Sequence, residues 1–468
     1  MNLYQDISVK KLVFRKLCTP TISVILFMFF FAALTFKYWV GWADHPFKGD
    51  VDQYYSYLIA EYIYSDFTFH FNHHFWLVST PTGELVPKVT MGMAIFYFPF
   101  FVIGNNIATV FNYDPLGYSA PFSWCVHFGT IFYMLIGFWY LRKTLLLFFS
   151  EWVSAITMFL ILFGTNLFYY TFREGEMTHC YLFFLFSLFF YHTIKWHFVK
   201  KPQHLYSVCL IAGFITLIRP TEIFVLIIPL LYQVISLKAL REKLKELIAL
   251  KWKLIFSVVL FLLPIIPQLI FWKKHTGQFL FFSYGSNEKF YFADPKIISV
   301  LFGWHKGWFI YTPLALFMIA GLILMFFKWK KMYLPILIYL LLNIYLVSSW
   351  WDWGFGGAFG MRALVQCFAF LAIPLAFFIN YLFSMQHKVK KVIIMIICTV
   401  AFSFCISLNL FQMWQFRNYL IHWDSMSKKA YTYTFFKTHY SQAERIYLES
   451  LFIHPDYDAM RKGYRDEK

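Results

Sequence analysis

Charge is scarce in this sequence. Only 14% of its 468 residues are Asp, Glu, Lys or Arg, against about 25% in an ordinary soluble domain. The chain is 60% hydrophobic and 24% aromatic, with a mean hydropathy of +0.57. That excludes a water-soluble enzyme and is the composition of a membrane protein. Cysteine is sparse as well. Cys18, Cys125, Cys180, Cys209, Cys367, Cys398 and Cys405 lie mostly inside apolar runs and form no CxxC pair, so they read as small core residues rather than a disulfide framework. No G-x-x-x-x-G-K-[ST] loop is present, which excludes a Walker-type ATPase. There is no internal repeat, low-complexity tract or soluble-domain linker. Acidic residues are few beside basic ones, 24 against 41, for a net charge of +17. The basic surplus falls in short clusters between apolar runs, the pattern of cytoplasmic loops rather than of a nucleic-acid surface.

The basic clusters set an expected topology. Lys10, Lys11, Arg15 and Lys16 precede an apolar run over 21–40, which reads as an uncleaved signal anchor with its N-terminus inside. The run 89–107 is apolar but short. If it spans, every later basic cluster falls outside; if it lies in the interface or re-enters, they all fall inside, which the positive-inside rule favours. On that choice the spans are 21–40, 120–141, 152–170, 178–194, 204–218, 222–237, 254–272, 309–327, 333–348, 363–386 and 392–412. The expected fold is thus all-α, a polytopic integral membrane protein of about eleven transmembrane helices. Residues 1–412 form the membrane domain, 41–119 being a long first outer loop with interfacial helices, and 413–468 an outer-face tail of short helices. The stretch 237–253 sets leucines at helical spacing against lysines and suits an amphipathic helix on the cytoplasmic surface.

Sorted by depth, the remaining charges gather at the outer end: Asp50, Asp52, Glu84, Lys88, Arg173, Glu174, Glu176, Arg219, Glu222, Lys306, Asp352 and Arg362. His127 is the main ionisable residue inside a span and reads as a packed neutral histidine. Intramembrane charge marks ion-coupled transporters, so its scarcity beside a one-sided polar rim favours an enzyme at the outer interface.

Several constellations there carry chemistry. Asp50-Val51-Asp52-Gln53-Tyr54-Tyr55 opens a helix. Asp50 suits an N-cap with Gln53 at the capping-box position, and Asp52 suits the helix dipole; equally, Asp50 or Asp52 could act as a general base. Lys88 is either a snorkelling anchor or a point charge for a leaving phosphate. The turn Arg173-Glu174-Gly175-Glu176-Met177-Thr178-His179 offers a second carboxylate, Glu174 or Glu176, and phosphate contacts in Arg173 and His179. His70 and His74 stand at i, i+4 with His73 between them, a spacing that metals use, but the Phe- and Trp-rich surroundings favour interfacial aromatics. In the loop 349–362, SWWDWGFGGAFGMR, the glycines permit close backbone approach and the tryptophans can stack on sugar faces or sit in the aromatic belt.

The order of these features resembles the GT-C membrane glycosyltransferases, on the branch of glycosyltransferase family 39, the protein mannosyltransferases and the lipid A aminoarabinose transferases. An acid-plus-Tyr helix follows the first span, a lysine leads a second interfacial helix, and an Arg/acid turn follows the third span. RPTE at 219–222, GWHKGWFIYTP at 303–313 and the Trp/Gly loop come after. The resemblance covers the chain to about residue 385. It implies an inverting enzyme that takes a sugar from a polyprenyl-phosphate carrier on the non-cytoplasmic face and passes it to a lipid, glycan or protein acceptor. Asp50 matches the family's acid after the first span. Lys88 matches its carrier-phosphate lysine, although the usual Lys-Pro-Pro is Lys88-Val89-Thr90 here. The second-loop acid is Glu174 or Glu176, with a divalent cation an open possibility and no metal ligands assigned. Tyr54, Arg219, Lys306, Trp351, Asp352 and Arg362 are expected to line the substrate pocket. A bacterial inner membrane, with the site facing the periplasm or exterior, is the expected setting. The alternatives are a transporter or flippase for a lipid-linked glycan, or a glycan ligase or polymerase.

Overall fold

The computed structural model describes residues 19–40, 47–69, 71 and 77–465; His70, His73 and His74 lie outside them. Among the described residues the chain is helical apart from one short hairpin. Helix α1 (Pro20–Val40) is followed by α2 (Asp50–Ile59), which runs on into a π turn, and by the antiparallel pair β1 (Leu77–Ser79) and β2 (Leu85–Pro87). Then come α3 (Gly92–Val110), α4 (Ala120–Leu145), α5 (Glu151–Phe163), α6 (Tyr169–Phe172), α7 (Thr178–Val199) and α8 (Pro202–Ile218). A 3-10 helix (Pro220–Leu226) leads into α9 (Ile227–Leu231), α10 (Leu237–Ile248), α11 (Trp252–Leu262) and α12 (Ile266–Thr276). After an irregular stretch stand α13 (Ile297–Phe302), α14 (Trp308–Tyr311), α15 (Ala315–Lys328) and α16 (Lys330–Ser349). A second 3-10 helix (Arg362–Cys367) joins α17 (Phe368–Phe383); α18 (Lys388–Arg417), α19 (Lys428–Thr434), α20 (Gln442–Ser450) and α21 (Tyr457–Arg461) close the order.

Six of these stretches are long and apolar enough to cross a bilayer, or seven if the bent pair α11–α12 counts as one. The protein is a membrane-embedded, all-α chain. Several stretches expected as single spans are broken, and the breaks have causes in the sequence. Pro264 cannot donate to the helical ladder, and α11 meets α12 at 52° beside it. Thr312 and Pro313 separate α14 from α15, and Gly164 ends α5 short of α6. The expected span 222–237 stops at Leu231. The amphipathic stretch 237–253 is helical over α10, with Ser236 accepting from the Ala239 amide at 3.1 Å as its N-cap. Helix α18 runs on to Arg417, so the tail begins later than residue 413. The short helices expected in that tail are present.

Helices α4 and α7 run parallel: Thr130 meets Tyr181, Gly137 backs on Phe184 and Tyr140 on Tyr191. Parallel neighbours need a return segment between them, which α5 supplies. The acid turn lies at the start of α7, level with His127 of α4. At the other end of α4, Arg142 bonds Thr21 of α1 and Glu151 of α5, the latter at 3.1 Å. Fifteen helical residues separate His127 from Arg142, or roughly 22 Å at 1.5 Å per residue, so the acid turn and this basic group stand at opposite ends of the bundle. Helix α3 packs antiparallel on the acid-turn half of α4, where Gly104 meets Phe122, Phe100 meets Gly129 and Phe96 meets Tyr133. It is one of the six helices long and apolar enough to cross, so length does not single it out as interfacial.

Small residues let the helices close up. A Cβ on Gly321 of α15 would overlap the Pro374 carbonyl oxygen of α17. Gly321→Ala should therefore overpack this crossing by about 1–3 kcal/mol and lower the melting temperature of the purified protein in detergent. An unchanged melt would mean that the two helices part at no cost.

Candidate functional site

At the acid-turn end the helices and loops enclose a cavity of roughly 1440 Å³. Its wall is built by chain segments far apart in sequence, and it takes in most of the residues singled out from the sequence. Asp50, Tyr54, Lys88, Arg173, Glu174, Glu176, Arg219, Trp351, Asp352 and Arg362 all line it.

Asp50 is the first residue of α2. The residue capping that helix is Gly49, at a φ of 57°, and no side chain caps it, which corrects the expectation that Asp50 is the cap. Its carboxylate points elsewhere: Oδ2 lies 3.5 Å from Nη2 of Arg362. Gln53 is not a capping-box partner either. Its Oε1 accepts from the Lys88 amide at 3.0 Å, so α2 fixes the backbone of the lysine that follows β2. Asp52 is set two residues on and therefore turned to the opposite side of the helix; it is buried and accepts from the Tyr118 hydroxyl at 3.2 Å, outside the cavity lining. The Lys88 ammonium pairs with Glu288 and lies 4.9 Å above the Tyr284 ring.

The acid turn contributes two carboxyls of different character. Glu174 accepts from the Tyr169 hydroxyl at 2.8 Å, and burial raises its carboxyl above the ordinary range despite that bond and the nearby Arg362 charge. Glu176 pairs with Nδ1 of His127, so this buried histidine is packed against an acid partner. His179 is the second residue of α7. It sits inside α7 against the Tyr170 ring, 4.7 Å between centroids, and does not line the cavity. Arg219 reaches Thr178 Oγ1 at 3.2 Å and Glu222 at 3.5 Å. Glu222 is buried and accepts from Tyr339 at 2.6 Å, Gln366 at 2.6 Å and Asn343 at 3.2 Å.

The Trp/Gly loop forms the facing wall through Trp350, Trp351, Asp352, Phe355, Gly356 and Gly357. Lys306 does not reach the cavity; it is buried and donates to the carbonyls of Ala358 and Trp423. Burial lowers its ammonium to about 7. It fastens the loop to the segment after α18, which the sequence reading laid over the outer surface. That segment enters the wall instead, as Trp423, Tyr457 and Arg461. Arg461 stacks 4.7 Å from the Trp351 ring. Asp424 accepts from Tyr457 and pairs with His305 at 3.3 Å. Sequence reasoning missed Glu288, Trp423, Tyr457 and Arg461. The usable signals were charges standing among aromatics in 279–292 and 414–465.

Chemically the lining is made of two sets of residues. One carries Lys48, Lys88, Arg173, Arg219, Arg362 and Arg461 with Asp50, Glu174, Glu176, Glu222, Glu288 and Asp352. The other is apolar, with Leu217, Ile218, Leu269, Trp272 and Leu346. The polar set can hold an anion and move a proton; the apolar set can hold a hydrocarbon chain. No protein-family model and no curated protein matches the chain. The chemistry is read from these residues alone.

Burial, with the neighbouring Asp424 charge, raises the Asp352 carboxyl from 3.8 to about 6. The folded protein therefore keeps a proton there that the unfolded chain releases. This contribution to stability is complete below the ordinary value and is lost as pH rises through about 6. Asp352→Asn removes it, so the melting temperature of the variant relative to the parent should climb as pH is raised from about 4 to above 6. A pH-independent difference would show that Asp352 does not titrate there.

Proposed function

We propose that the chain is an inverting membrane glycosyltransferase of the GT-C kind, taking a sugar from a polyprenyl-phosphate carrier. The observation that carries this reading is one cavity lined both by Asp50, Lys88, Arg173 and Arg219 and by apolar residues such as Leu217, Leu269 and Leu346. A lipid-linked phosphosugar has the same division: a hydrocarbon chain, an anionic phosphate and a polar ring. The eleven-span topology, with the site on the non-cytoplasmic face of a bacterial inner membrane, belongs to this reading.

In the proposed reaction an acceptor hydroxyl attacks the anomeric carbon from the face opposite the phosphate. The new C–O bond forms as the bond to the phosphate oxygen breaks, and the electron pair leaves with the polyprenyl phosphate. Asp50 takes the hydroxyl proton. Its freedom from a capping role and its contact with Arg362 support this assignment, because the arginine aims the carboxylate without consuming it in a backbone bond. Lys88, Arg173 and Arg219 offset the charge that grows on the leaving phosphate. Glu176, oriented by His127, is the second acid, and the Trp351–Asp352 wall shapes the sugar pocket.

Asp50→Asn preserves size and the start of α2 but cannot accept the proton, so turnover should fall by about 10²-fold or more. Lys88→Met should cost about 10²–10³ in rate. Both are measured as single-turnover transfer from a radiolabelled polyprenyl-phosphate sugar into a membrane extract, beside a thermal melt. Normally folded variants that transfer at the parent rate would remove both residues from the chemistry. A parent protein that moves no label from any such donor would remove the reading itself.

A further inference from the structure

Two buried or half-buried carboxyls of the cavity are held in opposite ways. Glu222 is bonded by a tyrosine and two amides in addition to its arginine. Among the described residues, Glu288 is held by cations alone: the Lys88 ammonium and the Arg461 guanidinium, the latter at 3.7 Å. Its side chain is 14% exposed and that of Lys88 20%, so the pair is partly sheltered from water. The lysine is the rigid member, because Gln53 fixes its amide and Ser283 bonds its carbonyl.

The carboxylate belongs to the movable member. Glu288 stands in the irregular stretch between α12 and α13. That stretch is anchored by Ser283 on one side of it, and on the other by Lys289, whose carbonyl accepts from Trp351 at 3.1 Å, and by Tyr291, whose amide reaches Ser349 at 2.6 Å. Between the anchors, Gly285, Ser286 and Asn287 are exposed, and Gly285 has open space around it at a φ of 69°. Withdrawing Glu288 therefore disturbs a short exposed turn held by long hydrogen bonds, Gly285 to Phe282 and Ser286 to Asn287, each at 3.4 Å.

Two cations converging on one monovalent carboxylate suit a phosphate that passes from one negative charge, in the donor diester, to two in the prenyl phosphate that leaves. Taking the donor reading above as its basis, we propose that Lys88 and Arg461 together form the phosphate seat, that Glu288 is its built-in counter-ion, and that the phosphate of the lipid carrier displaces it. Arg461, which arrives from the segment after the last long helix, is then a donor ligand. While the seat is empty the counter-ion keeps the sheltered Lys88 paired, Arg461 having Asp458 as a second partner at 3.1 Å, and it weakens binding of the carrier phosphate in proportion to its occupancy. If Glu288 fills the seat about nine-tenths of the time, apparent affinity is lowered about ten-fold.

The test is binding of a short-chain prenyl monophosphate to the purified full-length protein, with the matching prenyl alcohol and inorganic phosphate as companions, beside a thermal melt of each variant. Glu288→Gln should bind the prenyl phosphate up to about ten-fold more tightly, with binding of the alcohol unchanged. Arg461→Gln should bind it more weakly than the parent. Inorganic phosphate should follow the same order at lower affinity; equal affinity for the free ion would overturn the lipid as its source. Weaker or unchanged binding by a normally melting Glu288→Gln overturns the counter-ion, and the donor reading survives it if the parent still prefers prenyl phosphate to the alcohol. Failure of both parent and variant to bind any prenyl phosphate overturns both. Should Glu288→Gln not fold, Ser286→Cys in the parent gives a second readout. Prenyl phosphate should speed its labelling by an impermeant maleimide, and an unaltered rate overturns the displacement.

Discussion

A carboxyl group sunk among helices must be bonded on every side, and the cavity takes its shape from the way Glu222 meets that demand. It draws in Tyr339 and Asn343 of α16, Gln366 of the 3-10 helix before α17, and Arg219 at the end of α8. Removing any one donor would leave a buried acceptor short of a partner, at a cost of about 1–3 kcal/mol. The same knot sets two of the cavity's arginines. Arg219 lies three residues before Glu222 and Arg362 four residues before Gln366, so both are carried on the backbone that the knot fixes. Asp50 then reads its own position from Arg362, across 312 residues of sequence.

Much of this site was legible because charge is rare in the chain. Where apolar side chains fill the spans, each remaining Asp, Glu, Lys or Arg needs water or a partner, and sorting them by depth gathered Asp50, Lys88, Arg173, Glu176, Arg219, Asp352 and Arg362 correctly into one cavity. Facing was harder to read than depth. Asp50 and Asp52 differ by two positions and look equally fit in sequence, yet the helical period turns them to opposite sides. His179 belongs to the acid turn by its neighbours but to α7 by its geometry. Lys306 spends its donors on two backbone carbonyls, 52 and 117 residues away, and backbone partners leave no trace in a side-chain pattern.

The fold divides in the same manner. Hydropathy located the apolar helices, because a stretch that sheds its backbone polarity into intrahelical bonds has a length signature. It did not locate the breaks. Pro264 bends one expected span into α11 and α12, and Thr312 with Pro313 cuts another; each proline was visible, but the packing that tolerates it was not. The segment after α18 was read as surface covering because its composition is polar and Tyr-rich. Its role depends on contacts such as Arg461 with Trp351 and Arg465 with the carbonyls of Ser348 and Trp350, which join it to distant loops.

Those late contacts impose an order on biogenesis. A ribosome releases Asp50 and Lys88 early, when nothing that faces them yet exists. Arg362 follows after most of the helices have been inserted, and Trp423, Tyr457 and Arg461 after all of them. Until then the polar wall stands open, with Lys88 lacking Glu288 and then Glu288 lacking its second cation. A message cut short before codon 461 would thus yield a protein that inserts its helices and still has no closed site. Whatever this cavity takes up meets a complete wall only once translation has passed Arg461.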